Sequence, residues 1–112
     1  VALGAFGAHG LRGMLSSASD GARRLEVWET AARYHLMHAL ALALVGYLSA
    51  RGTGSLASIA GYLFLAGIVV FSGSLYALAL SGMRVLGAIT PLGGLCFLAG
   101  WVCVVLAAAK LR

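Results

Sequence analysis

Three long stretches of this chain, residues 34–50, 55–80 and 91–109, contain no Asp, Glu, Lys or Arg. Runs of about 17–25 predominantly apolar residues are the length a helix needs to cross a bilayer core. In hydrocarbon each backbone N–H and C=O must be paired within the protein, so segments of this length are predicted to be helices. Over 112 residues, 62% hydrophobic content and 10% charge leave too little polar surface for a soluble fold. The chain is therefore expected to be an all-α membrane protein, a four-helix transmembrane bundle filling 1–112 as one unit. No room remains for a separate catalytic domain.

The helix boundaries follow from punctuation. Residues 1–10 are apolar but cover only about 15 Å as a helix, so they are expected to form the end of a first helix that is only partly present. No signal peptide is expected from this run. A polar connection from Arg12 to Asp20 follows, with Ser19 or Asp20 placed to cap a second helix over 21–50. Its first turns alternate Arg23, Arg24, Glu26, Glu29 and Arg33 with Leu25, Trp28 and Ala32, a pattern suited to the headgroup region. This places Trp28 and Leu25 at headgroup level and pairs Glu29 with Arg33 by their spacing of four. Arg51-Gly52-Thr53-Gly54 reads as a turn into a third helix over 55–80. Thr90-Pro91 is a helix-start pair, opening a fourth helix over 91–110, and Val85–Ile89 is too short to span.

The formal charge of +5 lies outside or at the edges of the apolar runs. Such placement anchors a protein at the membrane surface, with membrane lipids as partners and no nucleic acid. Cys96 and Cys103, seven apart on one helix, are beyond disulfide reach and read as small packing residues. Recurrent Gly and Ala, such as Gly93-Gly94 then Gly100, allow close helix approach where van der Waals packing is the main adhesive.

Four ordered strings carry a family resemblance: Leu3-Gly4-Ala5-Phe6-Gly7-Ala8-His9-Gly10, Trp28-Glu29-Thr30-Ala31-Ala32-Arg33-Tyr34-His35 with His38-Ala39-Leu40, Phe71-Ser72-Gly73-Ser74-Leu75-Tyr76, and Thr90-Pro91-Leu92-Gly93-Gly94 with Gly100-Trp101. Together they resemble the small multi-pass proteins of the bacterial inner membrane grouped as a domain of unknown function, with transmembrane protein 256 as the animal relative. The resemblance covers essentially the whole chain. It implies a four-helix membrane protein with a further apolar stretch before the first string, and it brings no biochemical activity.

If the helices alternate across the membrane, the end of helix 1, the start of helix 2, the end of helix 3 and the start of helix 4 share one side. His9, Arg33, Tyr34, His35, His38, Ser72, Ser74, Tyr76 and Thr90 then lie in one half of the bilayer and form a candidate polar cluster or ligand site. Helical spacing lets His35 and His38 point together into the bundle, with His9 approaching from helix 1. Buried polar groups need partners, so the plainest role is hydrogen bonding between helices. A metal needs a third ligand, which only His9 offers, and no metal or other cofactor is expected.

No nucleophile with an orienting base and no phosphate loop can be assembled, so no catalytic residue is assigned and the chain is read as a non-enzyme. The leading function is an accessory, assembly or scaffold component of a membrane complex, with other membrane subunits or a second copy as partners. The alternatives are a small transporter or channel, or a protein binding a lipid, quinone or metal at the cluster. A cation transporter would want a buried carboxylate, yet Asp20, Glu26 and Glu29 all precede the apolar part of helix 2. A weak excess of arginines beside the shared side places that side in the cytoplasm of a bacterial inner membrane.

Overall fold

The computed structural model describes residues 1–111 as four helices, with no strand among them. Helix α1 covers residues 2–14 and contains a π-helical turn, Gly7–Leu11. Helix α2 is Gly21–Ala50 and α3 is Ser55–Ser81, the latter interrupted by a second π turn at Ile68–Ser72. A 3-10 turn, Arg84–Ala88, leads into α4, Thr90–Ala108. The first helix thus runs one turn past the expected end at Gly10. The connection to α2 shortens to residues 15–20.

Two helical stretches, Ser55–Ser81 and Arg84–Ala108, are long and apolar enough to cross a membrane, with mean hydropathies of 2.2 and 2.1. Only 33% and 22% of their apolar spans are buried inside the protein, whereas a soluble protein's core helix would be mostly buried. Their outer faces therefore need an apolar solvent. Leu92, Leu95, Leu98, Val102 and Val105 form such a face along α4. The whole is an all-α membrane bundle, flattened to 56 × 26 × 14 Å.

Packing follows a seven-residue rhythm. On α4 the buried positions are Gly93, Phe97, Gly100, Val104 and Ala107, alternating steps of four and three that keep one seam toward α3. On α3 they are Ala57, Ala60, Phe64 and Gly67, then Ser72, a step of five. The extra residue falls in the π turn, which absorbs it by winding locally wider. Beyond it Ser74 and Ala79 are buried, Ala79 seven residues after Ser72. Gly93 and Gly100 let α3 and α4 touch, because a Cβ at Gly93 would meet the Phe71 backbone and one at Gly100 the Phe64 ring.

The core has two parts. The larger joins α2, α3 and α4 around Val45, Leu48, Phe64, Phe97 and Val104. The smaller joins α1, α2 and α3 around Leu11, Leu15, Trp28 and Ala79. Trp28 is only 3% exposed, so it packs inside the bundle instead of standing at its surface as the expected interfacial anchor. Its ring sits between Phe6 and Tyr76, and its indole N–H donates to the Leu3 carbonyl at 2.7 Å. Gly7 makes this possible, since a side chain there would strike the indole.

The charged start of α2 also differs from expectation. Glu29 and Arg33 are exposed and form no ion pair; the ion pair among the described residues joins Arg24 and Asp20 at 3.6 Å. Asp20 occupies the position before α2 without a capping side-chain bond. Arg24 reaches instead to the end of α3, donating to the carbonyls of Ala79 at 2.8 Å and Leu80 at 2.7 Å. Those carbonyls lack helical partners, and the guanidinium fork supplies two donors at once. Gly82, at φ +73°, turns the chain away immediately afterwards.

Candidate functional site

The stripe of α2 that packs inward carries Trp28, Ala31, His38, Ala41, Val45 and Leu48, which puts one histidine in the core. His38 is 4% exposed. Its Nδ1 lies 2.8 Å from the Tyr34 carbonyl oxygen one turn earlier, and its Nε2 lies 3.0 Å from Trp101 Nε1 on α4. A carbonyl only accepts and an indole N–H only donates, so the ring is the neutral tautomer with its proton on Nδ1. The imidazole stacks on Phe97 at 3.6 Å between centroids and meets the edge of Phe64 at 5.3 Å.

His35 is half-buried on a different face. Its Nδ1 is 3.0 Å from the Tyr76 hydroxyl of α3, and Tyr76 in turn packs on Trp28. Ser72 donates to the Ala31 carbonyl at 2.9 Å, and Ser74 shares a 2.6 Å hydrogen bond with Thr90. These pairs hold the first half of α2, the second half of α3 and the start of α4 at a common depth. Thr90 therefore bridges two helices rather than capping α4, whose start has no side-chain cap bond.

Two cavities border these groups. A small one, about 70 Å³, lies between α1, α2 and α3, with Leu3, Gly4, His35 and Tyr76 on its walls. A larger trough of about 630 Å³ opens between α2 and α4, with Phe71 of α3 at its back. Tyr34, Met37 and His38 form one wall, and the α4 wall runs from Pro91 to Trp101, about 15 Å at helical rise. Its lining is almost wholly apolar and aromatic. The Tyr34 hydroxyl, which has no hydrogen-bond partner among the described residues, is an exception.

The sequence pattern of a family described as "Protein of unknown function (DUF423)" matches residues 3–94. The chain belongs to this family. Among the DUF423 chain's relatives, the UPF0382 membrane protein YwdK of Bacillus subtilis (strain 168) is 49% identical over 112 residues, covering 98% of this chain and 86% of the relative. The UPF0382 membrane protein SH2409 of Staphylococcus haemolyticus is 49% identical over 111 residues, with 98% and 85% covered. Both are named as membrane proteins, and neither name carries an activity. No solved structure matches.

In this DUF423 chain the nine candidate residues do not form one cluster. His9 is exposed and bonds to none of the others, so the expected approach to His35 or His38 is corrected. Leu3 and Gly4 line the cavity beside His35, and His9 lies five residues beyond Gly4, more than one helical turn further along α1. Arg33 also stays outside, exposed at the edge. His35 and His38 diverge, one toward Tyr76 and the other toward Trp101, so they do not share a ligand site. Among the described residues no group of His, Cys, Asp and Glu is placed to hold a metal.

Sequence reasoning missed Trp101 as the partner of His38, Phe97 as its stacking surface, Trp28 as a core residue and Arg24 as the clamp on α3. One signal was available. Positions 28, 31, 38 and 41 continue one helical stripe, so Trp28 shares the side of the inward-facing His38.

Proposed function

We propose that this chain is a non-catalytic, multi-pass protein of the bacterial inner membrane that serves as an accessory, assembly or scaffold component of a membrane complex. The observation that carries this reading is where its polar groups are used. His38, His35, Ser72, Ser74 and Thr90 are bonded to one another's helices, and no buried side-chain nitrogen or oxygen among the described residues lacks a partner. A catalytic site needs a polar group free to meet its substrate. Here those groups fix helix against helix, and the outward faces of α3 and α4 are left as broad apolar surfaces for neighbouring proteins.

Photo-crosslinking in intact cells tests the reading. A photoreactive amino acid at Leu92, Val102 or Val105 should give the same protein adduct from all three positions of one α4 face. An adduct pattern of lipid alone at every position would overturn it.

A further inference from the structure

The trough between α2 and α4 combines three features that packing alone does not require. First, it is open where it could have been filled: a Cβ at Gly94 would meet only the Phe71 ring, at 4.0 Å, whereas neighbouring Gly93 is held against the Phe71 backbone. Second, its volume of about 630 Å³ falls within the roughly 300–1,000 Å³ of sites that take small molecules. Third, the π turn of α3 ends beside it and directs Phe71 to its back wall while sending Ser72 to α2. Such turns are frequent at functional sites.

Charge identifies the occupant. Arg33 precedes Met37 by four residues, so it shares a helical face with that trough residue, one turn nearer the charged start of α2. Arg33 is exposed and has no ion-pair partner among the described residues. Tyr34, the next residue, lines the trough, and its hydroxyl is an unused donor among the described residues. A cation on the helical face that continues from Met37, and a hydrogen-bond donor from a residue of the trough wall, thus accompany an apolar channel about 15 Å long. An anionic head joined to a long hydrocarbon tail fits that order of chemistry.

We propose that this trough is a binding site for an anionic phospholipid, its phosphate held by Arg33 and Tyr34 and one acyl chain lying along Phe71, Phe97 and Trp101. The site goes beyond the accessory role and does not rest on it. Trp101 is 38% exposed and reports on the trough, whereas Trp28, at 3%, is shielded.

The test uses the full chain in phosphatidylcholine bilayers containing an equal fraction of dibrominated phosphatidylglycerol or dibrominated phosphatidylcholine, with tryptophan quenching as the readout. The anionic lipid should quench Trp101 with about a fivefold preference, the factor one arginine contributes near an anionic head group. Trp101→Phe should remove the quenched component. Arg33→Gln, at an exposed position, should abolish the preference while leaving quenching by the neutral lipid, and Arg23→Gln should leave the preference intact. Gly94→Leu should fill the trough and reduce quenching by both lipids. Equal quenching in the unmodified chain, or equal loss in the Arg23 and Arg33 variants, would overturn the proposal. Quenching by neither lipid, with Leu95→Cys chains cross-linking to one another, would assign the trough to a second copy and also overturn it.

Discussion

The indole N–H of Trp101 donates to Nε2 of His38 at 3.0 Å, and this contact decides which nitrogen of a buried histidine carries the proton. Because the Tyr34 carbonyl occupies the other side of the ring, both nitrogens are engaged with partners whose roles are fixed. The interaction ties the α2 stripe to α4, helices that otherwise touch at few points. Trp101→Phe keeps a similar ring and removes the donor. It should lower stability in detergent by about 1 kcal/mol, in the range of interhelical hydrogen bonds in membranes. Reversible unfolding in mixed micelles measures this, and an unchanged midpoint would show that the bond contributes nothing.

Two adjacent glycines should respond differently. Gly93→Ala places a methyl group against the Phe71 backbone, which cannot rotate aside as a side chain can. It should cost about 1–3 kcal/mol, the range for overpacking a close contact. Gly94→Ala meets only the Phe71 ring at ordinary contact distance and should stay within about 0.5 kcal/mol of the parent. The same unfolding experiment on both variants checks the contrast.

The π turn at Ile68–Ser72 predicts an asymmetric tolerance to deletion. Removing Val69, which is 69% exposed, should take out the extra residue and leave Phe64 and Ser72 facing inward on an ordinary α-helix. Removing Leu63 from the regular part should turn the rest of α3 by about 100° and misplace its seam. The first variant should elute as a single folded species on size exclusion and the second should aggregate.

Arg24 holds the end of α3 through two carbonyls and is itself held by Asp20. Arg24→Met preserves much of the apolar stem and removes both donors. The expected loss is about 1.5–3 kcal/mol, as for hydrogen bonds made by charged groups. Arg24→Lys should recover only part of it, because an ammonium is a point charge and lacks the planar fork. Limited proteolysis near Gly82 should become faster in both variants.

The helices could be read from the sequence because lipid leaves the backbone few choices, and glycine, threonine and proline mark the breaks. Which polar residues lie inside the bundle could be read partly, since Ser72, Ser74, Tyr76 and Thr90 need partners wherever they are buried. Their pairings could not. They depend on how each helix is rotated about its axis, and a single additional residue in the π turn changes that rotation for the whole second half of α3. Trp28 was misjudged for a related reason: the charges around it describe the outer side of α2, while its own orientation depends on Gly7 of another helix. His9 was grouped by depth with the other histidines, but α1 presents Leu3 and Gly4 to His35 instead.

The placement of His38's second partner has a consequence for the order in which the protein is made. Trp28 with Leu3, Ala31 with Ser72, His35 with Tyr76 and Arg24 with Ala79 all join residues synthesised by position 81. A nascent chain that has delivered three helices to the bilayer can close all of these links. Nε2 of His38 waits for Trp101 and Ser74 waits for Thr90, both on α4, which is synthesised after α3. The His38 lone pair stays without its indole donor until α4 is made, so its closure reports the docking of α4 onto α1, α2 and α3.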